Sequence, residues 1–478
     1  MKQLTNEIML ITYPDCMGKD LKDLYRIMDT YFDGLFGGIH ILPFFPSSGD
    51  RGFAPIDYFQ VEPAFGDWED IRRFSEKYYL MCDFMANHIS VQSPEFQDYL
   101  QRGDASPYKE MFINWHDFWG GEPSEEEARL VYKVKNCDPK MDWTLADGSK
   151  VTLWNTFFDQ QMDIDPFKPV TQDYYRRVLT HLARYAALIR LDAFAYTSKR
   201  AGTDCFFVEP EVWESLKQCL APLEGTGTRI LPEIHENYHI QMKIVEHGHA
   251  VYDFCLPMLL LHAMMTGRSD RLRHWLEICP HDQYTTLDTH DGIGVVDVEG
   301  LLEPDEIQLV LDKVAPVISE VRNITGENAA TTRGGEERKT YQINCTYYSA
   351  LGEDDEAYLL CRLIQFFTPG VPQVYYVGLL AGSNDMDFLR RSRQGRDINR
   401  HYYTEEEIRE TVERPMIKKL FAAMRFRKTH PAFGGDFSVR EPAPGQLILR
   451  WEKGSDYAQL AADLGRRQWE ITCSRMPR

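Results

Sequence analysis

Eight short apolar, β-rich runs recur along this chain. Each is followed by a polar loop and, in most cases, by a helical pattern. The runs are "IMLITY" (8–13), "GIHILPFF" (38–45), "YLMCDFMANH" (79–88), "LIRLDAF" (188–194), "RILPEIH" (229–235), "VYDFCLPML" (251–259), "YTTLDTHD" (284–291) and "VPQVYYV" (371–377). Near-continuous apolar runs of this length predict parallel strands covered on both faces. Between them, Leu21, Leu24, Tyr25, Met28 and Phe32 make one helical stripe, and Tyr175, Val178, Leu179, Leu182 and Tyr185 make another. In "EPEVWESLKQCL", Pro210 is placed as a first-turn proline. Eight strand–helix units predict a (β/α)₈ barrel. The alternative is an open doubly wound sheet, but no G-x-G-x-x-G follows the first run.

Two connections are too long for simple βα loops. About eighty aromatic-rich residues follow "MANH", and a second insert runs from "THDG" to about residue 355. Long loops of this kind carry function more often than structure. The predicted organisation is barrel residues 1–85, an inserted subdomain 86–167, barrel 168–290, a second insert 291–355, barrel 356–435 and a C-terminal antiparallel β domain 436–478. The last rests on the alternating, turn-separated pattern of "DFSVREPAPGQLILRWEKG".

The 478 residues carry a formal charge of −20, which argues against a nucleic-acid partner. An anionic substrate has to be attracted by a local basic cluster against that field. The aromatic fraction, 13%, is high and suits sugar-lined grooves as well as cores. Ten cysteines form no C-x-x-C pair; Cys82, Cys255 and Cys361 sit in apolar runs and read as reduced core residues. "MKQLTNEIMLITYPD" has no signal-peptide pattern, and no window approaches a membrane span, so a cytoplasmic location is expected. No calcium loop is evident, and no metal or cofactor is expected.

The run "IRLDAF" (189–194) poses the chemical question. Arg190 and Asp192 are two apart and so share one strand face. A structural ion pair is one explanation. The other is a catalytic carboxylate held ionised by its neighbour. Glu233 in "LPEIH" and Asp291 in "DTHDG" end two further runs. In a barrel, chemistry sits at the C-terminal strand ends. Two carboxylates about 5–5.5 Å apart make a retaining pair, one attacking the anomeric carbon and the other moving a proton.

These residues resemble the α-amylase superfamily, glycoside hydrolase family 13. Its four short regions occur in order: "DFMANH" (83–88), "IRLDAF" (189–194), "PEIHE" (232–236) and "DTHDG" (288–292). Within that family the chain is similar to the sucrose phosphorylase branch, through "HILPFFPSSGDRGFAPIDY" (40–58), "LDTHDGIGVVDV" (287–298), "PGVPQVYYVGLLAGSNDM" (369–386) and "GRDINRHYY" (395–403). The likeness runs from about residue 8 to 435 and fades beyond.

The resemblance implies roles. Asp192 is the expected nucleophile, Glu233 the acid/base and Asp291 the transition-state stabiliser. Arg190 orients Asp192; His88 and His290 bond glucosyl hydroxyls; Asp50 and Arg400 clamp the far side of that ring. Phe53, Phe157 and Tyr196 form an aromatic wall beside the developing positive charge. The histidines could instead be satisfied structural groups, and the aromatics core. The implied reaction is sucrose plus inorganic phosphate giving α-glucose 1-phosphate and fructose through a covalent β-glucosyl enzyme.

One segment departs from the branch. "EERKTYQINCTYY" places Arg338, Lys339 and Thr340 where an Asn-Leu-Asp-like run is usual, just before Tyr341 and Gln342 of the acceptor loop. The two cations suit free phosphate or a phosphate on fructose; a solvated charged loop is the plain alternative. Sucrose 6′-phosphate or another α-glucoside is therefore the alternative donor. Less favoured readings are a hydrolase or transglucosidase and a catalytically dead sugar-binding module. No membrane partner is expected, and the sequence is compatible with a homodimer without indicating one.

Overall fold

A computed structural model describes residues 2–135, 137–326, 330–331 and 339–474. All eight predicted runs contain strands. They are β1 (Met9–Thr12), β2 (Gly38–Ile41), β3 (Tyr79–Met85), β4 (Leu188–Asp192), β5 (Arg229–Pro232), β6 (Val251–Asp253), β7 (Gln283–Thr285) and β8 (Val371–Tyr375). They form one sheet in the order β6-β7-β8-β1-β2-β3-β4-β5. That is chain order read cyclically, as right-handed βα units generate in a (β/α)₈ barrel.

The chain divides into two compact units. One centres on Ile41–Ile234. In it β3 and β4 pair in parallel with Asp83 opposite Arg190 and Met85 opposite Asp192, and β5 continues with Leu231 opposite Arg190. Every residue of β3 is buried, as a strand covered on both faces requires. The helix Pro169–Leu182 begins with its proline in the first turn and buries Tyr174, Tyr175, Val178, Leu179 and Leu182. Pro210 differs from expectation: it is the cap residue and the helix runs Glu211–Leu220. The run 79–88 is also divided. β3 stops at Met85, and His88–Ser90 pairs antiparallel with Gln161–Asp163 of the long connection. The same connection holds an antiparallel pair, Lys140–Thr144 with Lys150–Trp154.

The other unit contains Leu4–His40, residues 235–326 and residues 340–474. β1 pairs with β8, β8 with β7 and β7 with β6, all in parallel. The helix Leu21–Tyr31 starts where the Asp20 side chain accepts from the Asp23 amide, and it buries Leu21, Leu24, Ile27 and Met28. The predicted run 251–259 is strand only to Asp253. The Asp253 carboxylate accepts from the Cys255 and Leu256 amides and starts the helix Leu256–Thr266. Four antiparallel strands close the described chain, β9 (Asp436–Arg440), β10 (Gln446–Lys453), β11 (Asp456–Asp463) and β12 (Gln468–Cys473). Leu447, Leu449 and Trp451 alternate inward along β10, and the Trp451 indole donates to the Phe367 carbonyl. Cys82, Cys255 and Cys361 are buried thiols. No helix among the described residues is long and apolar enough to cross a membrane.

Candidate active site

The first group of site residues lies in the Ile41–Ile234 unit. Asp192 is the last residue of β4, and Glu233 follows β5 by one residue. The Glu233 amide still donates to the Leu191 carbonyl at 2.9 Å, so the sheet ladder sets where its side chain starts. Arg190 is buried and holds three carboxylates. Its Nη1 donates to Asp83 at 2.7 Å and to Asp192 at 2.8 Å, and its Nη2 lies 3.5 Å from Glu233. The R-x-D pair is thus one edge of a four-member cluster. Asp83, wholly buried, was not assigned from the sequence although it opens "DFMANH"; its register opposite Arg190 is the signal that pairing alone reveals.

Three carboxylates share one guanidinium, so the pull of Arg190 on Asp192 is divided, unlike the single ion pair of the sequence reading. Burial pushes the Asp192 carboxyl up, to about 8; Arg190 opposes this, and the Glu233 and Asp83 charges add to it. Immediately after Asp192 the backbone turns at Ala193, which has φ 51° and ψ 32°. This left-handed conformation costs a non-glycine residue about 1–2 kcal/mol. It aims the Ala193 amide at Glu233 Oε2, 3.0 Å away.

His88 Nε2 lies 3.0 Å from the Phe53 carbonyl, which can only accept, so Nε2 carries the hydrogen. Its Nδ1 is buried with no protein partner and is left as an acceptor. Burial lowers this histidine to about 4, against the pull of Asp163, so the ring is neutral at pH 7. The Gln161 amide donates to the same Phe53 carbonyl at 2.9 Å and reaches Asp50 at 3.4 Å. Asp50 and Arg51 are left-handed, and a Cβ on Gly52 (φ 105°) would stand 2.6 Å from the Pro43 carbonyl oxygen. Only glycine allows that turn. The expected aromatics also meet. Phe157 packs edge-on to His88 and to Tyr196, with ring centres 5.5 and 5.0 Å apart. Arg190 lies 5.7 Å from the Phe53 ring centre.

The second group lies in the other unit. Asp291 does not end β7 but follows it by six residues, in the loop 286–292. The strand stops early because Asp288 turns inward to the wholly buried Arg362, which donates to both its oxygens at 2.8 and 2.6 Å. His290 Nε2 is 3.6 Å from Asp291. Arg400 donates through Nε to the His290 carbonyl at 3.1 Å and lies 5.8 Å from the Tyr13 ring centre. Gly292 leaves room for the segment 342–344: a Cβ there would stand 2.9 Å from Asn344, Gln342 and Ile343 atoms. Ile293–Gly294 pairs antiparallel with Gln342–Ile343, and the Val295 amide donates to the Tyr341 carbonyl. Gln342 is buried. Tyr341 meets His235 edge-on at 5.8 Å; His235 stacks on Phe254 at 3.9 Å and lies 3.3 Å from Asp297. His235, inside "PEIHE", was not singled out from the sequence. Lys339 begins the short strand Lys339–Thr340, and Arg338 lies outside the described residues.

The α-amylase catalytic-domain family matches residues 20–244. A sucrose phosphorylase of Streptococcus mutans is 47% identical over 475 residues, covering 98% of both chains. The chain belongs to the α-amylase superfamily, glycoside hydrolase family 13. The likeness therefore continues past residue 435, where the short motifs fade. A glucosylglycerol phosphorylase of Marinobacter adhaerens is 40% identical, covering 98% of this chain and 97% of its own. Among solved structures, a sucrose 6F-phosphate phosphorylase from Thermoanaerobacter thermosaccharolyticum matches with a TM-score of 0.94 and 37% identity, covering 99% of this chain and 97% of that one. The barrel and the antiparallel C-terminal sheet are thus those of the family.

Proposed function

We propose that this protein is a retaining sucrose phosphorylase. The observation that carries this is Arg190 holding Asp192 and Glu233 together, in a chain 47% identical along its length to a sucrose phosphorylase. Two carboxylates on one guanidinium favour the short spacing of a double-displacement pair. Asp192 attacks the anomeric carbon of the glucosyl unit while Glu233 gives its proton to the bridging oxygen, and fructose leaves. Phosphate then attacks the β-glucosyl ester from the opposite face. Its oxygen forms the new bond as the Asp192 carboxylate departs, and two inversions return the α configuration.

The proton balance follows from the site's charge. With no sugar bound, burial favours the protonated Asp192. Productive binding needs that carboxyl ionised and Glu233 protonated against the glycosidic oxygen, so substrate redistributes protons within a coupled pair. Asp291 supports the transition state, while His88, His290, Asp50 and Arg400 bond the sugar hydroxyls. Phe53, Phe157 and Tyr196 face the oxocarbenium-like ring. The acceptor enters beside Tyr341 and Gln342. Residues 86–167 and 291–355 are read as inserted subdomains and 436–478 as the C-terminal domain. Small-molecule substrates, a cytoplasmic setting and no nucleic-acid or membrane partner complete the reading, and a homodimer is compatible with it.

A second reading is sucrose 6′-phosphate as donor. The basic pair Arg338 and Lys339 favours it, as does the high-coverage likeness to an enzyme of that name. Product analysis decides. Purified enzyme with phosphate is given sucrose or sucrose 6′-phosphate, and α-glucose 1-phosphate is followed by proton NMR. Sucrose supporting the higher kcat/KM sustains the first reading, and the reverse sustains the second. Glucose release without any glucose 1-phosphate, or a β product, would overturn both.

A further inference from the structure

The loop 286–292, which carries His290 and Asp291, lies in neither strand nor helix. Besides the hold of Arg362 on Asp288, it is gripped by the short segment Gly395–Asn399 and the residue after it. Three side chains of that segment grip consecutive loop residues. Asn399 donates to the Thr289 carbonyl at 2.9 Å. Arg400 donates to the His290 carbonyl at 3.1 Å. Arg396 reaches the Asp291 carboxylate itself, with Nη1 2.8 Å from Oδ1. The segment is tied in turn: Tyr375 donates to the Asn399 carbonyl at 3.0 Å and the Asp385 amide to the Ile398 carbonyl at 2.8 Å. His401 then bridges Asp385 (2.6 Å) and Glu407 (3.2 Å).

We infer that Arg396 is a positioning residue for glucosyl transfer, acting through Asp291. The backbone bonds of Asn399 and Arg400 place the loop. The Arg396 contact acts on the Asp291 carboxylate itself. It stands at Oδ1, whereas His290 Nε2 stands at Oδ2, 3.6 Å away. Arg396 is 34% exposed on its side chain, whereas Asp291 is 9% exposed. An ion pair with one partner this wet contributes little to folding. A close ion pair that sets where a carboxylate stands contributes more to a reaction that depends on its position. Catalysis and stability should therefore separate on mutation, which a merely structural pair would not produce. The inference rests on the proposed role of Asp291.

A double-mutant cycle with α-glucosyl fluoride tests it, since that donor needs little help from the general acid. Parent, Arg396→Gln, Arg396→Lys, Asp291→Asn and the Arg396→Gln/Asp291→Asn pair are compared for kcat, KM and Tm. Arg396→Gln is expected to lower kcat about 10–100-fold, the range that a small misplacement of a reacting group produces, with KM and Tm close to the parent. Lysine should recover most of that loss. In the Asp291→Asn background the glutamine should change kcat less than about threefold, because coupled residues are not additive. An equal loss in both backgrounds, or no loss in the first, overturns the role of Arg396 alone. An Asp291→Asn enzyme close to the parent overturns the reading of Asp291 and this inference with it. Should the glutamine variant not fold, Arg396→Met, which keeps the aliphatic stem, completes the same cycle with the same criteria.

Discussion

The two groups of site residues are built in different ways. Arg190, Asp192 and Glu233 stand on β4 and at the end of β5, where paired backbone fixes each starting point. His290 and Asp291 stand on a loop that begins after Thr285 and is held by side chains from Asp288–Arg362 and from residues 396–400. The first group concentrates charge: three carboxylates around one buried guanidinium. The second group divides its charge, with Arg362 given to Asp288 and Arg396 to Asp291. A strand can carry an unbalanced cluster because its geometry does not depend on those charges. A loop needs its charges to be placed at all.

The largest expected effect is at Asp192, the proposed nucleophile on the strand. Asp192→Asn should lower phosphorolysis of sucrose by about 10⁴-fold or more, since the amide cannot form the glucosyl ester. The protein should remain folded because β4 does not rely on that charge. Steady-state glucose 1-phosphate release with circular dichroism checks both parts, and activity within tenfold of the parent would remove Asp192 from the role. Glu233→Gln should follow, with a loss of about 10²–10⁴-fold on sucrose but a much smaller one on α-glucosyl fluoride. Equal losses on the two donors would show that Glu233 is not the acid.

How much of this was legible follows the same division. All eight strands could be found because a buried parallel strand is a near-continuous apolar run, and the places of Asp192 at the end of β4 and Glu233 just past β5 could be read from the same runs. Asp83 and Arg396 could not. Asp83 meets Arg190 through strand register, and Arg396 meets Asp291 through a fold that brings residue 396 to residue 291. Neither relation leaves a local pattern in the chain. The end of β7 was misplaced because "YTTLDTHD" reads as continuous strand until Asp288 is seen to be taken by Arg362, 74 residues later. The surroundings of Asp192 are hidden for a similar reason. One arginine beside one aspartate predicts an ionised pair, but the arginine is shared three ways.

The loop-borne group should be more easily broken from a distance. Arg362→Met leaves Asp288 as a buried charge without its guanidinium, and such losses cost about 3–5 kcal/mol. Urea denaturation should show that fall. Sucrose phosphorolysis should fall as well under conditions where the variant is still folded, because Thr289 to Asp291 follow Asp288 directly. A variant that loses stability but keeps the parent kcat would show that the loop is held by the residue 396–400 contacts without Arg362. That outcome would sharpen the comparison by assigning the whole of the positioning to one segment.

The smallest effect is the most informative about the strand-borne cluster, and it is a matter of pH. Asp192 is pushed up to about 8 in the folded protein, chiefly by burial, against about 3.9 for an unfolded aspartate. A carboxyl raised on folding gives its full stabilisation below the unfolded value and loses it as pH climbs to the folded one. The parent should therefore lose stability between pH 5 and pH 8 through this group, as folding comes to require a buried charge that Arg190 only partly compensates. Asparagine at 192 carries no such charge. Whatever constant difference its amide introduces is the same at both pH values and cancels in the comparison. The Tm of Asp192→Asn minus that of the parent should thus become more positive from pH 5 to pH 8, by about 1–3 °C for a chain of this size. Differential scanning calorimetry in the absence of sugar and phosphate measures it. A difference that is flat with pH, or that becomes more negative, would mean that Arg190 keeps Asp192 ionised in the empty enzyme. The nucleophile would then be ready before sucrose binds, and no proton would need to move within the pair.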